Sequence, residues 1–159
     1  MTIRLTSQAL GQRVATLEQA LENDGSVTRP IQDHEPPEAL GYVDLQVEAP
    51  GYGLPQTAAY RYQEWWQSSG AEWALISYAY DYRFGPNMAG TFGYHWHEMR
   101  GVDRSGDAVY HVKCLHPLHP ARDPHFRGFR MDIWETRDEL TRLDAIGEWA
   151  TCQGLRPLP

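Results

Sequence analysis

The feature that most constrains the fold is an alternation of apolar and polar residues, interrupted by short turns, between residues 41 and 115. Side chains two positions apart on a β-strand point to the same face of a sheet, so this period predicts half-buried strands. The longest segment, residues 71–84, places Tyr78, Tyr80 and Tyr82 on one face. Short connections favour an antiparallel meander, because parallel strands need long crossovers. We therefore predict a meander of about five strands over residues 41–115.

A helix is predicted before this sheet. Residues 7–22 place four apolar side chains on one helical face, at spacings of four, three and four: Leu10, Val14, Leu17 and Leu21. Thr6 or Ser7 can cap its first turn, since both carry a hydroxyl oxygen that accepts from the backbone. Residues 25–40 contain three prolines and are predicted to form a connecting loop.

A second helix is predicted after the sheet. Thr136 and Glu139 have the spacing of a capping box, which predicts a helix over residues 136–152. Residues 116–128 are rich in histidine and proline and are predicted to be a loop. The 159 residues suffice for one domain, so we predict a single α+β domain with both helices packed on the sheet.

Charge and composition exclude several classes of protein. The net charge of −7 argues against broad binding to nucleic acids or anionic membranes. No apolar run approaches the roughly 20 residues of a membrane span, and the N-terminal residues lack the apolar region of a signal peptide. Thirteen of the fourteen basic residues are arginine, which is typical of a GC-rich bacterial genome. We expect a cytoplasmic bacterial protein that does not interact with membranes.

Six of the seven histidines lie between residues 95 and 130, in a stretch with six basic and four acidic residues. In the sequence Tyr94-His95-Trp96-His97, strand alternation places the two histidines on one face and the two aromatic residues on the other. A pair of imidazoles on a rigid strand can bind a metal or flank a phosphate group. The alternative is a solvent-exposed sheet face on which the two histidines have no function.

The second histidine group follows the predicted strand 108–115. It comprises His116, His119 and His125, and the prolines between them restrict the backbone of the loop. If the loop folds back over the sheet, His116 or His119 would come close to the pair at 95 and 97. Two uses of the combined group stay open at this point. The histidines can bind zinc, copper, nickel or iron, or they can act as metal-free acids and bases on a phosphodiester.

The candidate residues differ between these two uses. A divalent transition metal, zinc among others, would be held by His95, His97, His119 and His125. The candidate catalytic residues for phosphodiester cleavage are His95, His97, His116 and His119, with Arg127, or alternatively Arg130, binding the anion. A proline-rich loop whose histidines only form local hydrogen bonds is the structural alternative.

The order of these motifs resembles the TumE-like family of bacterial toxin–antitoxin toxin components. The resemblance covers about residues 58–150 and rests on the long aromatic strand, the segment Phe92-Gly93-Tyr94-His95-Trp96-His97, the His-Pro loop and the capped helix. It implies a small intracellular toxin that cleaves RNA and is neutralised by a helix-turn-helix antitoxin. The sequence departs from the family at residues 112–115, where Val-Lys-Cys-Leu stands in place of an Arg-Asp-Asn segment.

We therefore expect a toxin-like ribonuclease that uses a histidine and arginine cluster, with RNA as substrate. The alternative from another class is a noncatalytic metal-binding or protein-interaction module with a histidine-rich site. Growth arrest on expression would favour the enzyme, and harmless expression with intact RNA would favour the module.

Overall fold

A computed structural model describes residues 2–29, 40–50, 57–84, 90–98, 108–115 and 125–146 of the chain. Within these residues it contains eight strands and two helices. In chain order they are β1 (Arg4–Thr6), α1 (Ser7–Leu21), β2 (Ser26–Thr28), β3 (Leu40–Pro50), β4 (Thr57–Ser69), β5 (Glu72–Phe84), β6 (Gly90–Glu98), β7 (Ala108–Leu115), β8 (His125–Arg127) and α2 (Ile133–Ile146).

All eight strands belong to one antiparallel sheet. Strands β2 to β8 pair in chain order, and β1 pairs with the beginning of β5. The predicted α+β class with an antiparallel meander is confirmed, but the prediction of about five strands was too low. The additional strands β1, β2 and β8 have three residues each, which is too short for an alternating pattern to stand out. For this reason β2 lay within the predicted loop 25–40, and β8 within the predicted loop 116–128.

Helix α1 matches its prediction to within one residue. The Thr6 hydroxyl accepts a hydrogen bond from the Ala9 backbone N–H at 3.2 Å, which satisfies one of the free donors of the first turn. Leu17 and Leu21, on the predicted apolar face, are completely buried against the sheet.

One face of the sheet forms the core. Strand alternation directs Tyr62, Tyr80 and Tyr94 to this face, where they lie opposite one another on β4, β5 and β6. Neighbouring rings contact each other, as in the stacked pair Tyr78 and Tyr80, whose centroids are 4.5 Å apart. The tyrosine stripe therefore packs the sheet against the helices, and its rings are not available to stack with nucleic-acid bases.

A register shift separates two parts of β5. Trp65 pairs with Ser77 and Trp66 with Leu75, so one residue of β5, Ile76, has no partner on β4. An extra residue of this kind reverses the alternation that follows it. Leu75 is consequently buried in the same core as Tyr78, whereas strict alternation along the strand predicts opposite faces.

Helix α2 begins three residues earlier than predicted. The cap is Asp132, whose carboxylate accepts from the Ile133 N–H at 2.8 Å, while the Glu135 carboxylate accepts from the Asp132 N–H at 3.2 Å. Asp132 and Glu135 have the spacing of a capping box, upstream of the predicted pair, but the Asp132 carboxylate accepts from the first helical N–H and not from the third. Thr136 instead lies inside the helix and donates its hydroxyl to the Asp132 carbonyl. The predicted end of the helix, residues 147–152, lies outside the described residues.

Candidate metal centre

The histidine site lies on the sheet face opposite the core. Tyr94 and Trp96 pack toward the core, so His95 and His97 between them point to the other face, as predicted. On the neighbouring strand β7, Tyr110 and Val112 also pack toward the core. His111, which lies between these two residues, therefore shares the face of His95, to which it is directly paired.

Three imidazoles meet at this point: those of His95, His97 and His111. One ring nitrogen from each lies within 4.8 Å of the other two. The closest approach is 3.4 Å, between His97 Nε2 and His95 Nδ1. His95 is 6% exposed and His111 is fully buried, while His97 is half-buried and forms the more accessible side of the group.

Asp81 orients the ring of His95. Its carboxylate oxygen lies 2.9 Å from His95 Nε2. Burial alone would raise the pKa of Asp81, but the hydrogen bond and charge of His95, with the charges of Lys113 and Arg83, lower it overall. The ionised carboxylate can only accept, so Nε2 carries the proton and donates it. In the neutral form of the ring, the lone pair of His95 is then on Nδ1, the atom that faces His97.

A glycine makes this contact possible. Gly93 pairs directly with Asp81 on the neighbouring strand, and the Asp81 side chain lies over it to reach His95. A Cβ atom on Gly93 would lie 2.4 Å from Asp81 Oδ1, 2.7 Å from the Tyr80 carbonyl oxygen and 3.0 Å from His95 Nε2. Any larger residue would therefore occupy the space that the Asp81–His95 contact requires.

A backbone carbonyl orients the ring of His111 and determines which of its nitrogens carries the proton. Its Nδ1 atom lies 3.1 Å from the Val109 carbonyl oxygen, which can only accept, so Nδ1 carries the proton. Burial, reinforced by the nearby histidines, lowers the pKa of His111 to about 4 despite this hydrogen bond. The ring is therefore neutral near pH 7, with its lone pair on Nε2. That atom is buried and has no hydrogen-bond partner within the part of the chain that the structure describes.

The donor set has the chemistry of a transition-metal site. Neutral imidazole nitrogens are ligands for zinc, copper, nickel and iron. Two nitrogens bound to one tetrahedral zinc at 2.0–2.1 Å are about 3.3 Å apart, close to the observed 3.4 Å between His95 and His97. Hydrogen bonds from the outer nitrogens to a carboxylate and a backbone carbonyl are the usual support for metal-binding histidines.

The predicted site residues are only partly brought together. His95 and His97 belong to the group, and His116 and His119 lie outside the described residues. His125 contacts His111, with ring centroids 5.4 Å apart, but is not one of the three residues whose nitrogens converge. Arg127 is exposed and pairs directly with His111 across β7 and β8.

His111 and Asp81 were not among the predicted site residues. The signal for His111 was available, because Tyr110, Val112 and Cys114 form an apolar alternation that leaves residue 111 on the opposite face. A hairpin joining β6 to β7 then determines which residue of β6 lies opposite it. The role of Asp81 was not visible, because it depends on the register between β5 and β6 and on the space above Gly93.

Comparison of the chain with protein-family models, curated proteins and solved structures finds no match. The resemblance to the TumE-like family therefore stays a prediction. Neither α1 nor α2, the helices of the described residues, has the length and apolar character needed to cross a membrane.

Proposed function

We propose that this protein binds a divalent transition-metal ion, with zinc the best match, through His95, His97 and His111, and that the metal assists hydrolysis. The observation that supports this most directly is the Nε2 atom of His111, which is buried without a hydrogen-bond partner among the described residues. A ring nitrogen of the same histidine lies within 4.8 Å of one from His95 and one from His97. A buried polar atom left in this state costs about 1–3 kcal/mol. A bond to a metal would remove that cost.

Zinc is favoured because three neutral histidines with one open position are typical of catalytic zinc sites. When bound in this way, zinc supplies a water acidic enough to act as a nucleophile near neutral pH. The protein's own residues hold the ligands in place. Asp81 fixes the His95 ring, the Val109 carbonyl fixes the His111 ring, and the half-buried His97 leaves one side of the centre accessible.

The test is a zinc titration against a chromophoric chelator, with the wild-type chain and single variants. We expect one zinc per chain, and a loss of affinity of more than about 100-fold in His97→Ala and His111→Gln, because removing a ligand costs more than removing its outer-sphere support. His125→Gln is the matched control and should bind zinc like the wild type. Circular dichroism melts establish that each variant is folded. Unchanged affinity in both ligand variants would refute the proposal.

Phosphodiester cleavage is the specific reaction that we propose for this centre. It is supported by the resemblance, which implies an RNA-cleaving toxin with a helix-turn-helix antitoxin as partner, and by the position of Arg127 on the strand next to His111. Expression should then arrest growth and degrade RNA, and His97→Ala should relieve both effects. Harmless expression with intact RNA would contradict this reaction while leaving metal binding intact.

A closed, noncatalytic metal site is the second candidate. It is favoured by the burial of His95 and His111, which limits access to the centre from two sides. The absorption spectrum of the cobalt-loaded protein distinguishes the two. An open site changes its spectrum when a small anion such as azide is added, because the anion enters the coordination sphere. A closed site does not respond.

A further inference from the structure

We propose that Lys113 and Arg127 form an oxyanion-binding subsite beside the three-histidine centre, and that the group bound there is the phosphate of a phosphate ester. This inference rests on the proposed function, because the phosphate would be shared between the metal and the two cations. It goes beyond that function by naming the residues that recognise the substrate and the chemical class they select.

Strand pairing places both cations next to the histidines. Arg127 on β8 is directly opposite His111, which is directly opposite His95, so these three residues form one row across the sheet. Lys113 follows His111 by two positions and belongs to the adjacent row, on the same face. Neighbouring strands are about 4.8 Å apart, so a long side chain on β8 can extend over the edge of the centre.

The row that contains Lys113 leads directly to the Asp81–His95 pair. Lys113 is directly opposite Gly93, and Gly93 is directly opposite Asp81. The Asp81 side chain lies over Gly93 to reach His95, so the space above residue 93 is filled by this pair. Lys113 therefore lies beside the Asp81–His95 pair at the edge of the centre, where its ammonium group can contact a ligand bound there.

Neither cation forms a close ion pair with a carboxylate of the described residues. Four other arginines form close ion pairs with carboxylates there: Arg13 with Glu64, Arg29 with Glu18, Arg61 with Asp44, and Arg137 with Asp24. Lys113 and Arg127 form no such pair within those residues. Asp81, the acidic residue that contacts the histidines in the described part of the chain, is already bonded to His95. The described residues around the histidines therefore carry more positive than negative charge, in a chain whose net charge is −7.

The chemistry of the two cations favours phosphate over carboxylate. Arginine binds an oxyanion through two parallel N–H donors, and lysine adds a compact positive charge. A phosphate group has enough oxygens to contact the metal, Arg127 and Lys113 at the same time. A carboxylate has two oxygens and can satisfy only part of this arrangement.

The experiment measures binding of inorganic phosphate to the zinc-loaded full-length protein by isothermal titration calorimetry. We expect Lys113→Gln and Arg127→Gln each to weaken phosphate binding about tenfold or more, as loss of a charge-assisted hydrogen bond does. Arg127→Lys keeps the charge and loses the paired donors, so its phosphate affinity should lie between those of the wild type and Arg127→Gln. Arg4→Gln on the exposed strand β1 is the matched control and should bind like the wild type. Zinc affinity should be unchanged in all four variants.

The outcomes separate the two proposals. A protein that takes up no zinc refutes the proposed function, and this inference with it. Zinc uptake without phosphate binding, or with phosphate binding that neither substitution weakens, refutes the subsite alone. A second titration replaces inorganic phosphate with a uridine dinucleotide. If it binds with the same dependence on Arg127, the source is a phosphodiester backbone, and if only inorganic phosphate binds, the source is a phosphate monoester.

Discussion

Asp81 on β5 binds His95 on the neighbouring strand β6, with 2.9 Å between its Oδ1 and the imidazole Nε2. This contact determines which nitrogen of His95 carries a proton, and it leaves Nδ1 facing His97 at 3.4 Å. Asp81 does not itself belong to the three-histidine group, but its hydrogen bond sets the orientation of the His95 ring within that group. Asp81 is therefore a positioning residue.

Removal of the Asp81 carboxylate should weaken metal binding without abolishing the site. Replacement of such an outer-sphere partner typically reduces metal affinity 10- to 100-fold, so we expect a loss of about this size in Asp81→Asn. Zinc competition against a chelator measures it. Asp44→Asn, which removes a carboxylate paired with Arg61 on the same sheet, is the control and should bind zinc normally. Equal affinities in the two variants would show that Asp81 does not position His95.

Substitution of Gly93 should disturb both the fold and the site. In Gly93→Ala the new Cβ would meet Asp81 and the Tyr80 backbone at distances that folded proteins do not tolerate. We expect a loss of about 1–3 kcal/mol in the free energy of unfolding, as for other overpacked positions, together with weaker zinc binding. Urea unfolding and the chelator assay measure the two effects.

A second glycine provides the control for this experiment. Gly11 lies inside α1 and has no atom within 4 Å of the position where a Cβ would be added. Gly11→Ala should therefore stabilise the protein by about 0.5–1 kcal/mol, because alanine is the better helix former. If Gly93→Ala were as stable as the wild type and bound zinc equally well, the proposed need for space above residue 93 would be wrong.

The anchor between α1 and the sheet is also testable. Glu64 is 1% exposed and accepts hydrogen bonds from the Arg13 guanidinium at 2.8 Å, the Tyr80 hydroxyl at 2.7 Å and the Trp66 indole N–H at 3.1 Å. Arg13→Ala leaves this carboxylate buried without its cation. Loss of one partner of a buried ion pair costs about 3–5 kcal/mol, and we expect destabilisation of this size in urea unfolding.

The exposed pair of Arg29 and Glu18 is the matched comparison for Arg13. Its atoms approach equally closely, at 2.6 Å, but water screens an exposed pair, so Arg29→Ala should cost less than about 1 kcal/mol. Similar losses in the two variants would mean that burial of Glu64 does not determine the strength of its ion pair.

The elements with a long, regular pattern were predictable from the sequence. The alternation on β6 located His95 and His97 on one face, and the leucine spacing located α1. The short strands were not predictable, because three residues cannot establish a period. The capping residue of α2 was also misplaced, since Asp132–Glu135 and Thr136–Glu139 both fit the capping spacing, and the sequence alone does not decide between them.

Only some residues of the histidine site were predictable from the sequence. Residues on a single strand can be assigned to a face from sequence alone, whereas contacts between strands depend on register. His111 joins His95 because Trp96 pairs with Tyr110 and thereby aligns the two histidines. Asp81 joins them through a second register, between β5 and β6.

The most direct test of the account is X-ray absorption spectroscopy of the zinc-loaded protein. The three-histidine centre predicts one zinc per chain with imidazole nitrogens at about 2.0–2.1 Å and no sulfur ligand, since Cys114 is buried on the opposite, core face of the sheet. The same measurement on His111→Gln should show the loss of one imidazole or of the bound metal. A sulfur neighbour at about 2.3 Å, or a protein that retains no zinc, would contradict the assignment of this site.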